Sequence, residues 1–294
     1  MANFVTNDLG MTNTFELEIV NMSDVGKRRP HNEDSTVSVP QNGLVVLADG
    51  MGGYKAGEVA SAIAVTTVLH DVTADLKIHH PTKKKKNAQH AKRPGHEATL
   101  IKTSINHANS NIYKMAKSDE QCQGMGTTVI AGLFHDDMVT IGHVGDSRLY
   151  RLRGGNFQQI TKDHSLIQEV IDKKLYTPEE AYAKMPKNLV TRGLGLDMAV
   201  EVDIIEEKVL PEDIYLVCTD GLTDMVNDEE IHLTLGKYSA NLVQAATSLI
   251  QLANNKGGKD NISVVLVRVK NKVSRPTKTA LFNKLLNRFI EARG

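Results

Sequence analysis

The stretch that decides the fold is VVLADGMGGYKAGEVAS, residues 45–61. It continues an apolar run that starts at Leu44 and is typical of a buried strand. Asp49 ends this run, and four glycines, at positions 50, 52, 53 and 57, follow within eight residues. Apolar residues then repeat at helical spacing over 58–76. The pattern predicts a buried strand, a tight turn after Asp49 and a long helix, and the charge between strand and helix requires an explanation.

Composition limits the classes of function. The chain has 294 residues, with 40% hydrophobic and 24% charged residues, as in soluble globular proteins. Lysine plus arginine and aspartate plus glutamate both total 35, so no overall field would direct the molecule to nucleic acid or a membrane. No nucleic-acid partner is therefore expected, and any electrostatic function must be local.

Two cysteines, Cys122 and Cys218, cannot form a disulfide framework. The sequence shows no leader peptide and no long apolar span. These features predict a cytoplasmic protein with reduced thiols; a single bridge between the two cysteines is the alternative.

A basic segment separates the helix over 58–76 from a second predicted helix over 97–117. The segment, KIHHPTKKKKNAQHAKRPGH at 77–96, has no apolar periodicity, and Lys83, Lys84, Lys85 and Lys86 repel one another. We interpret it as an exposed loop insertion at about 79–97, with contact to an acidic partner or nucleic acid as the alternative. Its histidines lack the tight spacing of a zinc site.

The remainder of the chain predicts hairpin-linked strands with separate helices. Strands are expected at 15–20, 35–39, 127–134, 138–144, 148–153, 157–160, 200–209, 213–219 and 261–269, and helices at 166–174, 178–184 and 241–254. Strands grouped apart from helices favour an α+β layered domain over a doubly wound parallel sheet.

Acidic residues recur at the ends of the predicted strands: Asp49, Asp146, Asp220, Asp260, and the pair Glu33 and Asp34. Any one of them alone would be interpreted as a turn former or helix cap. If the strand ends converge, however, these carboxylates would repel one another unless cations lay between them. Oxygen ligands without a cysteine and histidine set favour Mg²⁺ or Mn²⁺ over Zn²⁺. The turn after Asp49 would need residues that accept unusual backbone dihedrals, and the missing side chains would let the Gly50 carbonyl approach a metal. GMGGYKAG matches neither nucleotide-binding glycine motif, so it is not interpreted as a nucleotide-binding loop.

Eight segments in order resemble the metal-dependent type 2C serine/threonine protein phosphatases, especially their bacterial branch. They are RRPHNED (28–34), VVLADGMGG (45–53), GTTVIAGLF (126–134), GHVGDSRLYRLR (142–153), ITKDHSL (160–166), LVTRGLG (189–195), LVCTDGLTD (216–224) and GGKDNISVVLV (257–267). The resemblance covers about 15–270. It implies a four-layer α-β-β-α sandwich with two central antiparallel sheets, a two-metal centre at one end, and a catalytic domain that ends near residue 270.

The resemblance also implies roles for the acids. Asp49 matches the carboxylate that bridges two Mn²⁺ or Mg²⁺ ions, and the Gly50 carbonyl matches a ligand of one of them. Asp220 and Asp260 match ligands of the first metal, and Glu33, with Asp34 close by, serves the second. Asp146, with Asp220, matches the place of a third, weaker metal, or alternatively orients metal-bound waters. Asn261 would support the ligands by hydrogen bonds.

The chemistry implied is hydrolysis of phosphoserine and phosphothreonine by a metal-bridging hydroxide, without a phosphoenzyme. Arg29 matches the phosphate-binding position, and Arg28 is the neighbouring alternative. Met51 replaces the histidine that many eukaryotic members carry, so a metal-bound water or His164 would protonate the leaving group, unless His164 is structural. The segment 161–187 corresponds to a flap beside the active site.

The tail over 271–294 predicts an amphipathic helix. Its apolar face holds Leu281, Phe282, Leu285, Leu286, Phe289 and Ile290. It would dock on the body of the protein, on a partner or second subunit, or on an anionic membrane.

The sequence therefore predicts an active phosphatase acting on Ser/Thr-phosphorylated proteins, together with a cognate kinase in a bacterium. The alternative is a catalytically inactive pseudophosphatase that binds phosphoproteins. The chain does not distinguish a broad set of substrates from one dedicated regulator.

Overall fold

The structure is a computed structural model that describes residues 15–52, 56–79, 95–186 and 189–271. Its strands are β1 (Phe15–Asp24), β2 (Asp34–Val39), β3 (Leu44–Met51), β4 (Gly126–Thr127), β5 (Val129–His135), β6 (Met138–Val144), β7 (Arg148–Arg153), β8 (Asn156–Gln159), β9 (Asp203–Lys208), β10 (Ile214–Cys218) and β11 (Ile262–Asn271). Its α-helices are α1 (Ala56–His79), α2 (His96–Ser118), α3 (Leu166–Asp172), α4 (Pro178–Lys184), α5 (Asp220–Thr223), α6 (Asp228–Lys237) and α7 (Leu242–Asn255).

The strands form two antiparallel sheets. The first sheet has the order β2-β3-β5-β6-β9, with the short β4 paired to β3, and the second has the order β1-β11-β10-β7-β8. Hairpins join β5 to β6 and β7 to β8, as the turn residues between them predict.

Three apolar clusters show how the layers stack. One joins α1 and α2 to the outer face of the first sheet. A second lies between the two sheets, where Phe134 and Tyr215 meet edge to face with ring centroids 5.3 Å apart. The third joins the outer face of the second sheet to α6 and α7. The predicted four-layer α-β-β-α sandwich is therefore confirmed, and alternate residues of the central strands fill different layers.

By length and composition alone, helix α1 is long and apolar enough over Ala56–Ile78 to cross a membrane. Its apolar side chains, including Ala60, Ala64, Val68 and Val72, are buried within the cluster beneath the first sheet. The helix is therefore apolar because it forms one layer of the core.

Helix α6 was missed by the sequence reasoning. It begins with a capping box in which Asn227 accepts from the Glu230 backbone N–H and Glu230 accepts from the Asn227 N–H. That pattern was readable in the sequence as a helix start.

Several predictions fall on residues outside the described ranges. They concern the lysines at 83–86, the histidines at 80 and 90, and the amphipathic tail, of which only residue 271 is described. The division of the chain near residue 270 stays a prediction. Both cysteines are buried and free, so the predicted absence of a disulfide agrees with the structure.

Candidate metal centre

Five of the six acids predicted at strand ends line one cavity of about 210 Å³, and Asp34 is not among its lining residues. Its wall includes Glu33, Asp49, Asp146, Asp220 and Asp260, together with Arg29, Gly50, Met51, Gly52, Thr128 and Val190. Asp49 comes from β3 of the first sheet, whereas Asp220 and Asp260 flank β10 and β11 of the second. The cavity thus draws on both sheets.

Asp34 and Asp49 are direct cross-strand partners in the β2–β3 pair. Their side chains share one face of the sheet, where like charges directly opposite destabilise the pair. Asp34 Oδ2 accepts a 3.1 Å hydrogen bond from Thr219 Oγ1, but its buried Oδ1 has no partner of normal geometry among the described residues. An orphaned carboxylate oxygen beside a second carboxylate suits a bound cation.

The pKa shifts of the acids also indicate a cation-binding site. Burial, together with the charges of Asp34, Asp220 and Asp146, raises the pKa of Asp49 well above its usual range. Burial and the nearby Asp146 do the same to the pKa of Asp220. Burial chiefly raises the pKa of Asp34 to about 6 and that of Asp146 to about 6. A donor set of oxygens that repel one another fits hard divalent cations such as Mg²⁺ or Mn²⁺.

The glycines after Asp49 serve close packing. Strand β3 continues past Asp49 through Gly50 to Met51, so the predicted tight turn after Asp49 does not begin before Gly52. A Cβ on Gly50 would lie 2.1 Å from the Gly57 carbonyl oxygen, and a Cβ on Gly57 would lie 2.9 Å from Glu33 Cδ. Gly52, with φ +151°, takes the unusual backbone conformation. The first turn of α1 therefore lies against Glu33, where its positive end favours a carboxylate.

The close contact between Gly50 of β3 and Gly57 of α1 makes Gly57→Ala an informative variant. We expect it to lower the free energy of unfolding by about 1–3 kcal/mol, as overpacking does, because the new methyl group meets Gly50 and Glu33. Gly236→Ala in α6 is the matched control: nothing lies within 4 Å of its new Cβ, and alanine there should stabilise by about 1 kcal/mol. Urea unfolding of both variants measures the difference, and equal effects would show that the β3–α1 contact tolerates a side chain.

The loop before β2 is held to the loop before β11. Asn261 Oδ1 accepts from the Glu33 backbone N–H at 2.8 Å, and its Nδ2 donates to the carbonyls of Val25 and His31. Arg29 Nη2 donates to Asp260 Oδ2 at 2.6 Å. Asn261 thus fixes the backbone that carries Glu33.

Sequence reasoning missed the hydroxyl groups that hold the acids. Thr128 Oγ1 accepts from the Asp49 backbone N–H at 3.0 Å, and Thr127 Oγ1 donates to the Asp49 carbonyl at 2.7 Å. Thr219 Oγ1 donates to Asp34. These threonines lie within the family motifs, but the sequence does not show their hydrogen-bond partners, which are distant along the chain.

Two larger clefts adjoin the cavity. One, of about 1030 Å³, runs past Arg29, Glu33 and Gly52 toward Cys122. The other, of about 680 Å³, contains Asp146, Asp220 and Asp260 and is bordered by Ser165, Ile167, Gln168 and Tyr182 of the predicted flap. Arg29 lines the cavity and both clefts, so its guanidinium stands where they meet.

His164 lies outside this cavity wall. It is 5% exposed, and its ring contacts Gly145 and Asp203. Met51 does line the cavity, and its side chain carries no proton that it could donate.

A four-layer sandwich whose two sheets supply converging carboxylates defines a class of α+β proteins with an acidic metal-binding centre. Residues 27–256 match the family described as Protein phosphatase 2C, and the chain belongs to this family. The predicted resemblance is confirmed.

Curated and solved relatives agree with that assignment. The serine/threonine phosphatase stp of Listeria welshimeri is 36% identical over 251 residues, covering 83% of this chain and 93% of the relative. The crystal structure of the Mycobacterium tuberculosis serine/threonine phosphatase PstP/Ppp has a TM-score of 0.75 at 34% identity, covering 87% of this chain and 99% of that one. The catalytic domain of PstP in complex with 2 manganese ions has a TM-score of 0.73 at 34% identity, covering 87% and 100%.

Proposed function

We propose that this protein is a metal-dependent phosphatase that hydrolyses phosphoserine and phosphothreonine in other proteins. The observation that carries the proposal is the cavity of about 210 Å³ in which acids from both sheets meet beside Arg29. The family, the relatives named as serine/threonine phosphatases and the two manganese ions of the PstP catalytic domain support it. Asp49, Gly50, Asp220, Asp260 and Glu33 would hold two Mn²⁺ or Mg²⁺ ions, with Asp34 beside them and Asp146 at a third, weaker position.

The ions, when bound, supply a water of lowered pKa as nucleophile and offset the charge of the phosphoryl group. Among its described residues the cavity wall has no cysteine, serine or histidine, and its carboxylates would be occupied by the ions. The Thr128 hydroxyl is engaged as well, because Oγ1 accepts from Asp49 N–H and lies 2.8 Å from Ser147 Oγ. Direct attack by water, without a phosphoenzyme, fits this arrangement.

Arg29 binds and orients the phosphate in this proposal. Its guanidinium now contacts Asp260, and its planar fork also matches two oxygens of a phosphate group. Protonation of the leaving alkoxide falls to solvent, because Met51 has no proton to give and both nitrogens of the buried His164 are engaged.

The test is phosphate release from phosphoserine and phosphothreonine peptides with Mn²⁺ and with EDTA. We expect turnover that requires the ion. Binding of phosphopeptides without turnover would identify a pseudophosphatase instead. Retention of the whole set of acids argues against that alternative, since a binding module has no need to hold repelling charges together.

Arg29→Ala should raise KM about 10- to 100-fold at saturating Mn²⁺, the equivalent of one lost charge-assisted hydrogen bond, with a smaller change in kcat. Arg28→Ala is the matched control, because Arg28 lines neither the cavity nor the two clefts. Steady-state kinetics on a phosphopeptide measure both. A larger rise in KM for Arg28→Ala would transfer the role to Arg28.

The substrates we propose are Ser/Thr-phosphorylated proteins, including those of a cognate kinase. Comparison of the phosphoproteomes of cells with and without the protein identifies them directly.

A further inference from the structure

The hydrogen bonds of His164 define the position of its ring proton. Nδ1 lies 3.0 Å from the Gly145 backbone nitrogen, and Nε2 lies 3.2 Å from Asp203 Oδ2. A backbone N–H can only donate, so Nδ1 is an acceptor. The proton is therefore on Nε2, where it is donated to Asp203, and the ring is neutral. Burial lowers the pKa of His164, which agrees with a neutral ring.

This tautomer excludes two other roles. His143, His164 and Asp203 place potential metal-ligand atoms within 4.8 Å of one another. A metal would need a free lone pair on His164, but Nε2 carries the proton and Nδ1 accepts from Gly145. Arg192 Nη1, 2.9 Å from Asp203 Oδ1, adds a positive charge that further disfavours a cation. A proton donor to substrate is excluded as well, since both nitrogens are occupied and the ring is 5% exposed.

What His164 does hold is the turn that carries Asp146. Besides the contact at Nδ1, the His164 backbone N–H donates to the Gly145 carbonyl at 2.8 Å. Both polar groups of Gly145 are therefore bound by one residue. Gly145 has φ +113°, and a Cβ there would lie 2.5 Å from Thr128 Cγ2, so its backbone is closely confined. The His143 ring lies against the His164 ring, with centroids 4.5 Å apart and planes tilted by 31°, and limits its rotation.

Asp146 follows Gly145 directly and lines the metal cavity with Asp220. The direction of its carboxylate depends on the peptide plane before it. We propose that His164, in the neutral tautomer set by Asp203, is a positioning residue that aims Asp146 at the metal centre. The inference rests on the proposed function only in treating Asp146 as a metal ligand.

Two substitutions separate the contacts of the ring. In His164→Asn the side-chain oxygen takes the place of Nδ1, so an acceptor for the Gly145 N–H remains while the reach to Asp203 is lost. In His164→Gln the polar atoms lie at the distance of Nε2, so contact with Asp203 remains while Gly145 loses its acceptor. Asp146→Ala defines the part of Mn²⁺ binding that depends on Asp146.

The experiment is calorimetric titration of the metal-free full-length variants with Mn²⁺, with thermal unfolding in parallel. We expect His164→Gln to weaken the Asp146-dependent part of the isotherm about 10- to 100-fold, the range typical for residues that orient metal ligands. His164→Asn should leave it within about threefold of wild type. Nitrogen NMR of the wild-type imidazole should show a protonated Nε2 and an unprotonated Nδ1.

Three results would overturn the proposal. They are equal loss of Mn²⁺ affinity in the Asn and Gln variants, an isotherm that Asp146→Ala leaves unchanged, and a wild-type ring protonated on Nδ1. The nitrogen NMR measurement uses only the wild-type protein, so it does not depend on whether any variant folds. Because none of these measurements uses phosphatase turnover, a protein that binds Mn²⁺ as expected but hydrolyses nothing would contradict the proposed function alone.

Discussion

Asp49→Asn should lower the rate of phosphopeptide hydrolysis by about 10³-fold or more, beyond the 10- to 100-fold typical when a residue behind the ligands is changed. The expectation follows from its place: Asp49 lies opposite Asp34 and is affected by the charges of Asp220, Asp146 and Asp260. An amide keeps the shape but removes the charge that two cations would share. The same loss of charge relieves repulsion, so the metal-free variant should unfold at a higher temperature than wild type at pH 7.5.

Two measurements test this expectation: turnover at saturating Mn²⁺ and thermal unfolding in EDTA. Asp137→Asn is the control, since Asp137 lies at the exposed β5–β6 turn and pairs with Lys208 at 3.6 Å. Its turnover and unfolding temperature should match wild type. If Asp49→Asn retains more than about a tenth of wild-type turnover, Asp49 is not the shared ligand.

Metal-free protein should lose stability as the pH rises from 5 to 7.5. The pKa values of Asp34 and Asp146 are raised to about 6, and those of Asp49 and Asp220 are raised well above their usual range. Between the unfolded pKa, near 4, and these folded values, the folded state binds more protons than the unfolded state. The contribution of these carboxylates to the unfolding free energy therefore falls with rising pH across this window, by about 3 kcal/mol or more for shifts of this size. Burial lowers the pKa of His143 to about 3 and also lowers that of His164, so the contribution of these two histidines rises with pH and offsets part of the fall.

Excess Mn²⁺ should reverse that trend. Ions bind the deprotonated acids of the folded state, so stabilisation by Mn²⁺ grows from pH 5 to 7.5. Urea unfolding at the two pH values, with EDTA and with Mn²⁺, gives all four free energies. A metal-free protein that is more stable at pH 7.5 than at pH 5 would show that repulsion among the carboxylates is too weak to outweigh the opposing contribution of the buried histidines.

The site acids were predictable because each follows or precedes an apolar run that the sequence displays. Asp220, for example, follows one residue after a stretch that forms a central strand, β10 (Ile214–Cys218). That such strand ends converge in an antiparallel sandwich could be predicted without any side-chain contact. Family motifs then distinguished ligands from ordinary turn formers.

Other features depend on contacts between distant parts of the chain and left no local trace. Gly50 was interpreted through backbone dihedrals, whereas its actual constraint is the approach of Gly57. The contact of Thr219 with Asp34 joins residues 185 positions apart. The sequence places His164 in a family motif but does not define which ring nitrogen carries the proton. That tautomer follows from the contacts with the Gly145 N–H and the carboxylate of Asp203.

The core between the two sheets has a consequence for ion affinity. Asp49 belongs to one sheet while Asp220 and Asp260 flank strands of the other, so the distances between these carboxylates depend on the relative tilt of the sheets. Phe134 and Tyr215, packed across that interface, help to set the tilt. Substitutions at this ring pair, though remote from every carboxylate, would therefore change how tightly the protein retains its cations.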